Sequence, residues 1–176
     1  MAIKTASGSD LRNSLSSGLV LLNTTTFSGV ASQSINDVFS ATYKSYLIIC
    51  GFTSITASPM TMRLRVSGTD NSAANYGFAY TVGRLGYHDS SGANTNTSWE
   101  ISQAENFRQC SFTMHLHNPF ETEFTTFQSS TAAFNNSNSL FYSHSGATSV
   151  TTSYTGFTLL PPGNMTGTVS VYGLAK

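Results

Sequence analysis

A period of two constrains this chain more than any other feature. In Thr61-Met62-Arg63-Leu64-Arg65-Val66 apolar and polar residues alternate without a break, which puts every apolar side chain on one face of an extended strand. Tyr76, Phe78, Tyr80 and Val82 repeat the pattern, as do Phe112, Met114 and Leu116 set against Thr113, His115 and His117. Trp99 with Ile101, and Val169 with Val171 inside Gly167 to Leu174, give shorter examples. Tyr43 to Phe52 is apolar on both faces. Its β-branched and aromatic content favours a central strand covered on each side over a buried helix.

Turn residues punctuate these runs. Ser67-Gly68-Thr69-Asp70-Asn71 follows the first strand, and His88 to Asn96 reads as a polar loop. Asn135 to Ser139 and Pro161-Pro162-Gly163-Asn164 close two further elements. Strands at this spacing predict an all-β fold, an antiparallel, jelly-roll-like β-sandwich of about nine or ten strands. Very little helix is expected: one turn at Ser34–Phe39, capped by Ser34 with Asp37 at the reciprocal position, and another at Ser102–Phe107. Residues 1–18 differ from the rest. Leu11 and Leu15, spaced for one face of a short helix, stand among Ser, Gly and Asn. This segment reads either as an arm that orders against a neighbour or as a frayed tail. The domain then runs over 19–176.

Composition narrows the function classes. Only 9% of the 176 residues are charged, against 28 Ser, 24 Thr and 13 Asn, where about 25% charged is usual. A hydrophobic share of 39%, with 12% aromatic, supplies the apolar area that disordered chains lack. The net charge is zero, and the eight Lys and Arg are scattered. Nucleic-acid binding needs a concentrated basic field, so it is not expected. No apolar run is long enough to cross a bilayer as a helix, so no membrane insertion is expected. The first residues lack the apolar stretch of a signal peptide, and secretory export is not expected either. Cys50 and Cys110 lie in strand-like surroundings that favour buried free thiols over a disulfide.

Motifs with mechanistic content are missing. No glycine-rich phosphate loop, no HExxH and no paired-cysteine metal spacing occurs, and neither cofactor nor catalytic residue is expected. His115 and His117, at i and i+2 on a strand, point the same way and are the sharpest metal candidates, with a third ligand to come from His88, His144, Glu100 or Glu121. A solvent- or interface-facing pair is the favoured reading of those two histidines. Glu121 and Glu123 also share a strand face, a hydrated row more readily than a glycosidase pair. Arg63, Arg65 and Arg84 read as protection of a sheet edge rather than a basic patch. Trp99, Tyr87, Tyr142 and Tyr154 are the candidates for stacking on a sugar or filling an interface.

Several stretches carry a resemblance. Phe27-Ser28-Gly29-Val30, then Ser34-Ile35-Asn36-Asp37-Val38-Phe39 and Ala41 to Ile49, with an F-x-x-x-Y-x-x-Y-x-I spacing from Phe39 to Ile48, resemble a group of small tailed-phage proteins frequent in cyanophages. Leu64 to Asp70 and the closing G-T-V-x-V-Y-G at Gly167–Gly173 are similar to the same group. The resemblance implies a virion component made in the host cytoplasm, a jelly-roll subunit of a tail fibre or appendage or of the capsid decoration. It further implies a homotrimer seated on other virion proteins (capsid, tail or fibre base), without catalytic residues. A carbohydrate- or receptor-binding module, such as a fibre tip engaging a host surface glycan, is the alternative. Leu11 and Leu15 would then be arm contacts.

Overall fold

The computed structural model describes residues 18–84, 86–135 and 138–174, which form an antiparallel two-sheet β-sandwich. Thirteen strands appear among the described residues: β1 (Leu19–Val30), β2 (Gln33–Ile35), β3 (Ser45–Ser54), β4 (Ser58–Val66), β5 (Thr69–Asp70), β6 (Tyr76–Arg84), β7 (Tyr87–Asn96), β8 (Trp99–Ala104), β9 (Gln109–His117), β10 (Thr126–Phe134), β11 (Ser139–Thr148), β12 (Gly156–Leu160) and β13 (Met165–Leu174). The larger sheet has eight strands in the order β1-β13-β3-β9-β10-β11-β6-β7. The smaller runs β2-β12-β4-β5, with β8 also paired to β4.

The pairings are nested. β1 pairs β13, β2 pairs β12, β3 pairs β9 and β4 pairs β8, each antiparallel. The chain thus folds back on itself and alternates between the sheets. Two hairpins break into this scheme: β6–β7 between β4 and β8, and β10–β11 between β9 and β12. Both join the larger sheet beyond β9 and carry it past the smaller one.

The core lies between the sheets and follows the period-two pattern. Met60, Met62 and Leu64 of β4 face Ile48, Cys50 and Phe52 of β3, Phe112, Met114 and Leu116 of β9, and Val169 and Val171 of β13. Buried Tyr hydroxyls are satisfied locally. Tyr76 accepts from the Leu64 amide at 3.0 Å and donates to the Asn71 carbonyl at 2.9 Å. Cys50 and Cys110 are free and buried; desolvation pushes the Cys50 thiol up to about 12 and keeps it protonated.

The structure corrects several expectations. The strand count is thirteen rather than nine or ten. β7 occupies most of the stretch expected to be a polar loop; it is an edge strand that hangs beyond the core, so neither face needs apolar residues. The turn at Ser34–Phe39 is not helical. Ile35 pairs with Phe157, Asp37 takes a positive φ of 54°, and the Val38 and Phe39 amides both donate to the Thr155 carbonyl. Ser102–Phe107 is strand and bridge, with the Phe107 amide on the Ser54 carbonyl at 2.8 Å. β3 is central in its sheet but not covered on each side, since Ile49 is 41% exposed. Among the described residues no helix is long and apolar enough to cross a membrane. Residues 1–17, with Leu11 and Leu15, lie outside the described residues.

Candidate functional site: a tyrosine-lined cleft and an uncharged sheet face

Where the larger sheet overhangs the smaller, its inner face is half covered. Tyr80 and Val82 of β6 continue the inward row of Tyr76 and Phe78, and Tyr142 of β11 follows Leu140, but all three of these outer positions are only half-buried. Glu100 and Gln103 on β8 form the opposite wall, so that the overhang and the edge of the small sheet enclose a cleft of about 410 Å³. Arg84, Tyr87, Glu105 and Asn135 add to its polar lining. Small-molecule sites fall in this size range.

His144 forms the floor. It is 3% exposed, and its Nδ1 is buried without a hydrogen-bond partner. The Tyr80 ring lies 5.4 Å from the imidazole at 38°, and the Tyr142 ring 6.0 Å away at 21°. Desolvation holds the imidazole down to about 4, so it is neutral at physiological pH. Burial also raises the carboxyls of Glu100 and Glu105. The Arg84 guanidinium sits over the Tyr87 ring at 4.4 Å, and the Tyr87 hydroxyl donates to Asp89 Oδ2 at 2.9 Å. The cleft therefore offers aromatic faces, hydrogen-bond donors and carboxylate acceptors within one small volume.

Of the four aromatic candidates named from the sequence, Tyr87 and Tyr142 meet in this cleft. Trp99 and Tyr154 do not, and both are core residues at 0% exposure. Trp99 packs edge-on to Tyr76 at 5.2 Å and against Phe127 at 4.8 Å, with Nε1 donating to the Ala147 carbonyl at 3.2 Å. The Tyr154 hydroxyl accepts from Asn71 Nδ2 at 2.7 Å. Their polar tips reach partners inside the sandwich, which is why they are not needed at its surface. Nothing local in the sequence ties Arg84, Glu105 and His144 together: β6 and β11 meet through a long-range ladder of the larger sheet, and Glu105 follows β8 of the smaller one.

His115 and His117 lie on the outward face of β9, where His117 Nδ1 and the Ser45 hydroxyl are 2.9 Å apart. No group of three potential metal ligands forms among the described residues. Glu121 and Glu123 stand in the loop after β9 rather than on a strand. Arg63 and Arg65 do not guard an edge, since β4 lies between β12 and β8. Arg65 instead joins Asp70, Thr158, Ser34 and Asn36 across the small sheet, and Arg63 donates to the Thr97 carbonyl at 3.0 Å.

A second feature is larger. The ladder registers place Thr24, Ser170, Ile49, Thr113, Ser130, Ser143, Thr81 and Ser90 in one row across the outward face of the eight-stranded sheet. The neighbouring rows hold Ser, Thr, Gly, Ala, Gln and His together with Leu47, Tyr172 and Phe141, and no outward position of the described sheet is Asp, Glu, Lys or Arg. Hydroxyls meet across strands, Thr24 with Ser170 at 3.1 Å and Thr26 with Thr168 at 3.2 Å. Apolar residues stand among them: Leu19 and Leu21 are each 55% exposed, and Phe141 is 53% exposed. Shallow grooves of about 450 and 620 Å³ run over this face without a charged group in their walls.

No family model and no curated protein matches the sequence. Among solved structures, the attachment invasion locus protein Ail of Yersinia pestis shows 9% identity over 66% of this chain and 99% of Ail, with a TM-score of 0.21. At that score the likeness carries no argument.

Proposed function

We propose that the protein is a non-enzymatic structural component of a tailed-phage virion, a homotrimeric subunit of a tail fibre or appendage or of the head decoration. The observation that carries this reading is the uncharged outward face of the eight-stranded sheet. Charge depletion with exposed aliphatic and aromatic residues marks the core of a protein–protein interface, not a free surface. Side chains as small as Ser, Thr, Gly and Ala also let a second surface approach closely. Closed symmetry is the usual way for copies of one chain to cover such a face.

The nested pairing of β1 with β13, β2 with β12, β3 with β9 and β4 with β8 supports a finer description of the fold. It is the wrapping of a jelly roll, a fold of viral capsid and lectin domains, here extended by two hairpins. The sequence resemblance to small phage proteins points the same way, and residues 1–18 serve in this reading as the attachment segment. Mass spectrometry of purified particles tests it together with native mass in solution. The chain is expected in the particle, and its free form at three times 18.8 kDa. Its absence from particles that need it for assembly would overturn the reading.

One observation favours a second reading, a carbohydrate- or receptor-binding module. It is the cleft that gathers Tyr80, Tyr87 and Tyr142 beside two carboxylates.

A further inference from the structure

We infer that the cleft between β6, β11 and β8 is a saccharide subsite that takes a neutral pyranose ring, with Tyr142 as its stacking platform. The inference rests on the second reading above and is independent of how the sheet face is covered. It names the ligand class by elimination among charge types. Two carboxylates, Glu100 and Glu105, share the cleft with one guanidinium, Arg84. A cationic ligand would meet Arg84, and an anionic one would meet both carboxylates. Neither carboxylate has a salt-bridge partner among the described residues, where the ion pair formed is Arg65 with Asp70.

A neutral polyhydroxylated ring uses all of these groups at once. Its hydroxyls donate to Glu100 and Glu105 and accept from Arg84 and the Gln103 amide, while its C–H face lies on an aromatic ring. Planar polar side chains of both hydrogen-bonding senses beside an apolar platform are what fixes orientation in such a pocket. His144 supplies the independent sign of an unfilled requirement. A neutral imidazole buried to 3% exposure with Nδ1 unpaired is costly to leave so, and it lines the floor of this cleft. The outward grooves are larger but hold neither carboxylate nor guanidinium. The cleft is also the right size, since about 410 Å³ lies at the lower end of the range for small ligands.

The test is a titration of the isotope-labelled full chain with methyl glycosides of glucose, galactose, mannose and N-acetylglucosamine, followed by NMR. Lysine methyl ester and glucuronate serve as cationic and anionic probes. At least one neutral glycoside is expected to shift Gln103, Tyr142 and Tyr87, and to bind at least about tenfold more weakly to Tyr142→Leu, a difference of ~1.4 kcal/mol. Glu100→Gln keeps the shape of the wall and is expected to weaken binding as well, so a folding defect at Tyr142 would not hide the result. Binding of the charged probes alone, or shifts confined to residues outside the cleft, would overturn the assignment. Adhesion of the protein to host cells separates the two levels. Adhesion without glycoside binding leaves the receptor-binding reading standing and removes this subsite, whereas loss of both removes that reading too.

Discussion

The Tyr142 ring lies over the His144 imidazole with centroids 6.0 Å apart and planes 21° from parallel. This pair joins the cleft to the core, because His144 is buried under the tyrosine that faces solvent. It also makes the cleft sensitive to acid. Burial lowers the folded-state pKa of His144 from 6.5 to about 4. Between those values the unfolded chain binds more protons than the folded one, so this stabilising contribution is complete above pH 6.5 and is lost as pH falls toward 4. The difference is on the order of 3 kcal/mol. Urea unfolding of wild type and His144→Gln at a series of pH values checks it. The variant should lack this part of the acid slope.

Glu100 has the opposite sign. Burial raises its folded-state pKa, so its contribution is favourable below the unfolded value near 4.5 and is lost as pH rises through the raised one. Glu100→Gln is therefore expected to raise stability at pH 7 while weakening glycoside binding. The gain is small, because water screens a half-exposed group. Paired thermal unfolding and titration of this variant read both effects.

Trp99 is the single tryptophan of the chain and is completely buried. Its emission should be insensitive to iodide and unchanged by any glycoside that binds the cleft. Trp99→Ala removes a ring packed on Tyr76 and Phe127 and should cost about 3–5 kcal/mol. Chemical denaturation measures that loss.

Gly167 of β13 stands opposite Phe52 of β3, its ladder neighbour in the larger sheet. A Cβ at this position would press on the Gly51 carbonyl and come within 2.8 Å of Phe52 Cα, both of them backbone atoms that cannot turn aside. Gly167→Ala is expected to destabilise the sandwich by more than ~2 kcal/mol, whereas Gly18→Ala, in open space, should be silent in the same denaturation series.

How much of this was legible in the sequence depended on burial. Met62, Leu64, Phe112 and Met114 declare their strands because one face of each is fully enclosed. β7 does not, since from Tyr87 to Ser91 it is exposed on both faces at a sheet edge and carries no alternation to read. β1 is similarly obscured by the bulge between Leu21 and Asn23, which shifts the register partway along it. Residue type gave the candidates for stacking but not their places. Trp99 and Tyr154 are as aromatic as Tyr87 and Tyr142, and only the overhang of β6 and β11 beyond β8 separates the buried pair from the exposed one. The uncharged face was hidden for another reason. Its row from Thr24 to Ser90 draws on eight strands scattered along the chain, and the overall scarcity of charge says nothing of where the remaining charges sit.

The sheet face is where the structural reading stands or falls. Ser130 and Thr113 are opposite one another at its centre and exposed, so an arginine at either leaves the core untouched. The decisive measurement is the native mass of wild type and of Ser130→Arg, with circular dichroism to show that both are folded. A trimeric wild type beside a folded 18.8 kDa monomer of the variant is the predicted result. A monomeric wild type, or a variant that assembles as readily as wild type, would contradict it.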